Sequence, residues 1–142
     1  MEIQNILGYL LNTSAKLIKR SMDKYLEKYK ITTAQWSVIK LLDSRGSLTQ
    51  TQIALELRAD KATVGEVISR LIDKKLLDKS FEQKDRRAYS VSLTAEAKNI
   101  VKEIEEMAGK VTDSALKGFS NSQKEELYSS LNKIIKNLSE GE

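Results

Sequence analysis

The chain has 142 residues, with 24 Lys and Arg against 20 Asp and Glu, 40% hydrophobic residues, and no Cys, His or Pro. Without a thiol or an imidazole there is no disulfide framework, no Cys/His zinc site and no Cys or His nucleophile, so a hydrolytic triad is not expected. Carboxylates remain available for acid–base or Mg²⁺ chemistry, but they are scattered over helix surfaces with no convergent pair, and the chain reads as a non-enzyme without a metal or other cofactor.

The net charge of +4 is small, and its distribution says more than its total. Residues 1–30 carry six basic and three acidic groups, residues 31–57 two of each, residues 58–88 nine and six, and residues 89–142 seven and nine. The middle is basic and the C-terminal third acidic. The start Met-Glu-Ile-Gln-Asn-Ile lacks the basic region and cleavage site of a signal peptide, and no apolar run approaches the ~20 residues that span a bilayer. A cytoplasmic protein without membrane contact is expected.

In chain order, Ile3, Ile6, Leu7, Leu10, Leu11, Leu17, Ile18, Met22, Tyr25, Leu26 and Tyr29 recur at three- and four-residue steps. They predict one amphipathic helix over residues 1–30, too long for a small core to cover. Thr32-Thr33-Ala34-Gln35 caps a helix bearing Trp36, Ile39 and Leu42, and Thr49-Gln50-Thr51-Gln52 caps a shorter one bearing Ile53, Ala54 and Leu57. The turn Arg58-Ala59-Asp60 leads into a helix with Asp60 at its N-cap and a buried stripe of Val64, Val67, Ile68, Leu71 and Ile72. Two short helices on a three-residue turn form a helix-turn-helix.

After Lys75 the period changes to two. Leu77, Lys79 and Phe81 alternate with Asp78 and Ser80, and Tyr89, Val91 and Leu93 with Ser90 and Ser92, which predicts two half-buried strands. Between them, Glu82-Gln83-Lys84-Asp85-Arg86-Arg87 reads as a charged hairpin tip. Two further stripes follow, one from Ala97 to Phe119 and one from Leu127 to Leu138, separated by the capping box Ser120-Asn121-Ser122-Gln123. The expected fold is mainly α with a small two- to three-stranded β wing. It is a winged helix-turn-helix over residues 31–93, flanked by an N-terminal dimerisation helix (1–30) and C-terminal dimerisation helices (94–142), because three long stripes outside a small domain need a partner and a C₂ dimer is the common solution.

A helix that reads DNA buries one face and offers the other to the major groove. With Asp60 as N-cap, Lys61, Thr63, Gly65, Glu66, Ser69 and Arg70 lie off the apolar stripe. Lys61 and Arg70 suit phosphate or guanine O6/N7, Thr63 and Ser69 are short enough for base edges, and Gly65 permits close approach. Glu66 opposes groove contact unless it accepts from cytosine N4 or orients Arg70. At the hairpin tip, Lys84, Arg86 and Arg87 suit phosphates or a narrow minor groove, with Asp85 orienting a guanidinium in a bidentate pair. The candidate DNA-binding set is therefore Lys61, Thr63, Gly65, Ser69, Arg70, Lys84, Arg86 and Arg87.

The chain resembles the MarR family of bacterial transcription regulators. The resemblance is carried by Asp85-Arg86-Arg87 followed by Leu93-Thr94 opening a long helix with Ala97 three residues on. Gln35-Trp36, Gln52-Ile53-Ala54 and the closure of the fourth helix from Leu71 to Leu77 reinforce it, and it spans the whole chain. Lys75 stands where the family commonly has Gly, and Glu66 is unusual in a recognition helix. The resemblance implies a homodimer with intertwined terminal helices, bound to a pseudo-palindromic double-stranded operator. It also implies control by a small, often aromatic, ligand near the dimer helices. Trp36, Tyr25 and Tyr29 are candidate linings, but aromatics at helical spacing usually serve a core, so no ligand residues are assigned. The absence of Cys excludes a thiol-oxidation switch, and the absence of His disfavours metal sensing. The reading is a dimeric repressor released by a small organic ligand. The alternative is a winged-helix protein-interaction adaptor without specific DNA readout.

Overall fold

Helix starts are fixed where polar side chains meet the first free amides. In this computed structural model, which describes residues 1–81 and 88–140, Thr32, Thr49 and Ser120 each accept from the amide three residues on, and Gln35, Gln52 and Gln123 reach back to the cap residue's own amide. Asp60 and Thr94 cap in the same way, accepting from Thr63 and Ala97. A 3₁₀ turn at Ile3–Asn5 leads into α1 (Leu7–Leu26), and a second at Glu27–Tyr29 leads to α2 (Thr33–Arg45). Then come β1 (Leu48–Thr49), α3 (Gln50–Leu57), α4 (Lys61–Asp73), β2 (Leu77–Phe81), β3 (Tyr89–Leu93), α5 (Ala95–Ala115) and α6 (Asn121–Ser139). The single N-terminal helix expected over residues 1–30 is thus shorter, because the chain tightens into 3₁₀ geometry after Leu26 and turns left-handed at Lys30.

Among the described residues, three helical segments end on a left-handed residue that is not glycine: Lys30 (φ 56°), Arg58 (φ 52°) and Lys75 (φ 62°). Each is followed by an amide that reaches back five residues: Ile31 to Leu26, Ala59 to Ala54 and Leu76 to Leu71. This is the Schellman closure, and at α4 it places Leu76 over Leu71, both buried. The end of α4 is therefore left-handed at Lys75, the residue that stands where the family commonly has Gly, against the ~1 kcal/mol that a Cβ costs there.

The sheet is three-stranded and antiparallel in the order β1-β3-β2. Leu48 pairs with Val91 across β1 and β3, while Leu77 to Phe81 pair with Leu93 to Tyr89. Contrary to expectation, β2 is not half-buried: only Leu77 is closed to solvent, and Lys79 and Phe81 are exposed. The period of two reflects pleating, but β2 is the edge strand of the sheet and beyond Leu77 its side chains are open to solvent, while Val91 and Leu93 of β3 stay buried. Tyr89 of β3, which packs on the core, supports β2 from across the ribbon, with the Phe81 and Tyr89 centroids 5.9 Å apart and the Lys79 ammonium 4.6 Å from the Tyr89 ring.

The core joins the winged segment to the inner ends of the flanking helices. Ile39, Leu42, Ile53, Ile68, Leu71 and Val91 form one cluster with Leu26 of α1 and Ala97, Val101 and Ile104 of α5. Polar links reinforce the joint. The Thr33 hydroxyl donates to Asp23, Tyr29 Oη donates to Glu103 at 2.7 Å, and Lys40 pairs with Glu105. The Thr33 donor, aided by Lys19, holds the Asp23 carboxyl below its ordinary value; the hydrogen bond to Glu103 raises Tyr29, and Glu105 raises Lys40. Gln35, the buried polar residue among the described ones, accepts from Thr32 N and from Lys74 Nζ, both at 3.1 Å, so its burial leaves no orphan acceptor. No residue of α6 is buried.

Candidate nucleic-acid interface

The geometry of α4 follows from its sequence: Val64, Ile68 and Leu71 recur at four and three residues and pin one face to the core. At about 100° per residue the opposite face is then set. Glu66 lies at its middle with Ala62 and Asp73, flanked by Ser69 on one side and by Thr63 and Arg70 on the other, all exposed. Lys61 is exposed at the helix start. Three of the residues expected to read DNA, Thr63, Ser69 and Arg70, therefore share the solvent side of one rigid element, with Lys61 exposed at its N-terminal end.

Thr63 has a second task. Its amide and hydroxyl both donate to Asp60 Oδ2, at 3.0 and 3.1 Å, so its methyl and remaining lone pairs are what it offers outward. Among the described residues no ion pair engages Glu66 or Arg70. Gly65 is half-buried and faces Gln50 of α3: a Cβ built there would lie 2.7 Å from Gln50 Nε2. The close approach that glycine permits is to the neighbouring helix. Gln50 Nε2 in turn donates to the Lys61 carbonyl at 2.9 Å. In the sequence Gln50 shows only as a filler within the Thr49–Gln52 cap; the signal that finds it is a glycine in mid-helix with no turn to explain it.

Lys84, Asp85, Arg86 and Arg87 lie outside the described residues. The strands that lead to them are braced by Phe81 and Tyr89, and Ala88 and Tyr89 line a cleft shared with Thr49, Gln50, Thr51 and Lys61. The outer end of β3, next to the hairpin tip in sequence, thus stands beside the first turn of α4. Of the aromatic residues considered for a ligand site, Trp36 and Tyr29 are half-buried and pack on the core. Tyr25 instead lines a separate cleft of ≈ 220 Å³ between α1 and α5, with Leu17, Ile18, Val111 and Lys110.

The comparison with known proteins agrees with this architecture. Residues 29–88 match the sequence pattern of the MarR family. The HTH-type transcriptional regulator YwoH of Bacillus subtilis is 31% identical over 119 residues, which cover 84% of this chain and 86% of that protein. The chain belongs to the MarR family. Its relatives are named as transcription regulators. Among solved structures, BpsR of Bordetella bronchiseptica, whose DNA binding is regulated by 6-hydroxynicotinic acid, superposes with a TM-score of 0.85 at 27% identity, over 94% of this chain and 96% of that one. A mutant MarR of E. coli complexed with operator DNA has the same fold, with a TM-score of 0.82 at 22% identity over 90% and 92% of the two chains. Among the described residues, no helix is long and apolar enough to cross a membrane.

Proposed function

We propose that this MarR-family regulator binds a pseudo-palindromic double-stranded operator as a homodimer and represses by occluding a promoter. The observation that carries the reading is the solvent face of α4. An N-capped helix, anchored by Val64, Ile68 and Leu71, presents Thr63, Ser69 and Arg70 on that face and Lys61 at its exposed start, beside the outer end of a ribbon whose tip sequence is basic. Arg70 and Lys61 suit guanine O6/N7 or phosphate, Ser69 and Thr63 suit base edges, and Glu66 at the middle of the face suits a cytosine amino group. Gly65 serves the same face from behind. Lys84, Arg86 and Arg87 anchor the wing to phosphates or a minor groove, and Asp85 orients them.

In this reading residues 31–93 are the DNA-binding domain, and residues 1–30 and 94–142 supply the dimer. Support comes from the outer apolar residues left open in the single chain: Leu7 is 60% exposed, Leu17 53%, Ile135 51% and Leu138 71%. A second copy supplies the missing cover, and twofold symmetry places two α4 helices in half-sites about 10 base pairs apart. Release by a small organic ligand follows the precedent of BpsR. The cytoplasm is the compartment of such a regulator.

Substitution separates readout from anchoring. Arg70→Ala should lower operator affinity by ~1–3 kcal/mol at particular base pairs, whereas Arg87→Ala should weaken all sequences together and flatten the salt dependence. Binding of selected duplexes across a salt series checks both. An adaptor would show only weak, sequence-independent retention, and that outcome, or an Arg87→Ala protein with an unchanged salt slope, removes the corresponding assignment.

A further inference from the structure

Gly65 lies within α4, where glycine costs about 1 kcal/mol relative to alanine, and its backbone is not left-handed, so no turn requires it. What requires it is space. A Cβ at position 65 would stand 2.7 Å from Nε2 and 3.2 Å from Cδ of Gln50, and that same Nε2 donates to the Lys61 carbonyl at 2.9 Å. Gln50 is the first residue of α3, directly after Thr49, which both caps α3 and pairs with Ser90 of β3. The amide thus links the first turn of α4 to the point where α3 meets the wing sheet.

We infer that Gly65 and Gln50 act as one unit, a clasp that fixes the stance of the first turn of α4 and thereby determines which bases Lys61 and Thr63 reach. The inference rests on the DNA-reading function proposed above and adds Gln50 to it as a positioning residue. The clash is with the far end of a flexible side chain, so a Cβ at position 65 expels the Gln50 amide without displacing backbone. Gly65→Ala therefore keeps the fold, gains helix propensity and loses the clasp. Stability and DNA specificity move in opposite directions, which a purely structural glycine would not produce.

The test is a double-mutant cycle on Gly65→Ala, Gln50→Ala and the pair. It uses a duplex selected by the wild-type protein from a random-sequence pool and a scrambled duplex of the same length. Each single variant should bind the selected duplex about five- to tenfold more weakly, the worth of one lost hydrogen bond. Affinity for the scrambled duplex should be unchanged, the melting temperature of Gly65→Ala should not fall, and the double variant should be no worse than either single. Effects that multiply in the double variant would show that Gly65 meets DNA directly and overturn the clasp, as would an unchanged ratio of selected to scrambled binding in both singles. If the wild-type protein prefers no duplex, the DNA reading itself fails. The clasp is then decided in the free protein: NMR should show slow solvent exchange of the Gln50 side-chain amide that Gly65→Ala releases, and equal exchange in both proteins overturns it.

Discussion

The winged segment and the flanking helices carry the same kind of apolar stripe and treat it in opposite ways. Between α2 and β3, Val38, Ile39, Leu42, Ile53, Ile68 and Val91 are at most 1% exposed. In α6 and the outer half of α1 much of the stripe is open, with Leu7 at 60%, Leu17 at 53%, Ile135 at 51% and Leu138 at 71%, while Leu11, Leu127, Leu131 and Ile134 are only partly covered. The α1 stripe changes character along its length, since Met22 and Leu26 reach the core while Leu7, Leu10 and Leu17 do not. A helical period therefore identifies a face that needs cover without saying which chain provides it. The winged segment is covered by its own neighbours, and the flanks stay open in the single chain, where the proposed dimer would cover them.

The strongest way to break this contrast is to truncate one residue on each side of it. Ile68→Ala removes a fully buried side chain at the meeting of α4 with the core, and should cost roughly 2–5 kcal/mol of unfolding free energy. Leu138→Ala, measured at concentrations where the dimer is dissociated, should stay within about 0.5 kcal/mol. Urea denaturation of both variants measures the difference, and equal losses would place α6 inside the monomer's own core.

A smaller effect is expected from charging the flank. Ile135→Glu puts a carboxylate on the open stripe of α6, where dimerisation would have to bury it. Sedimentation should show a shift towards monomer, with dimer affinity weakened at least tenfold, while the monomer keeps its helical circular dichroism. A dimer that persists unchanged would move the interface away from α6.

These two regions also differ in how much of them the sequence reveals. Caps and core stripes were legible: Thr32 with Gln35, Thr49 with Gln52, Asp60 and Ser120 with Gln123 start helices where local chemistry places them, because a cap depends on residues three apart. The exposed flank of α4 was legible for the same reason. The exposure of Lys79 and Phe81 was not, because alternation reports a pleat and not the presence of a covering layer. The third strand was hidden in two residues, Leu48 and Thr49, whose pairing with β3 is long-range. Gln50 was invisible as a partner of Gly65, since the contact depends on how α3 packs against α4 and on nothing local to either.

Lys75 offers a change in the opposite direction. It holds φ 62° at the Schellman closure of α4, within the winged segment, so Lys75→Gly should stabilise the protein by about 1 kcal/mol without touching the flanks. The expected signature is a raised urea midpoint with an unchanged slope and an unchanged dimer. A loss of stability would mean that the lysine side chain contributes more than its backbone costs.

The smallest expected effect lies at the joint between the two regions, where the Thr33 hydroxyl at the start of α2 donates to Asp23 of α1, with Lys19 at 3.3 Å. The hydroxyl is the main cause and the ammonium a lesser one of an Asp23 pKa below the ordinary 3.8. A carboxylate depressed in the folded state contributes stability that is fully present above its unfolded value, and that contribution disappears as pH falls from about 3.8 through the lower folded value. Because the Asp23 side chain is 42% exposed, solvent screening holds the contribution below about 0.5 kcal/mol. Thr33→Val removes the principal donor, so the stability difference between wild type and variant should be constant from pH 7 to pH 5 and shrink below pH 4. Other carboxylates titrate in the same range, but they do so in both proteins and cancel in the difference. A difference that persists undiminished at pH 2 would assign the role of Thr33 to packing between α1 and α2 and remove Asp23 from the joint.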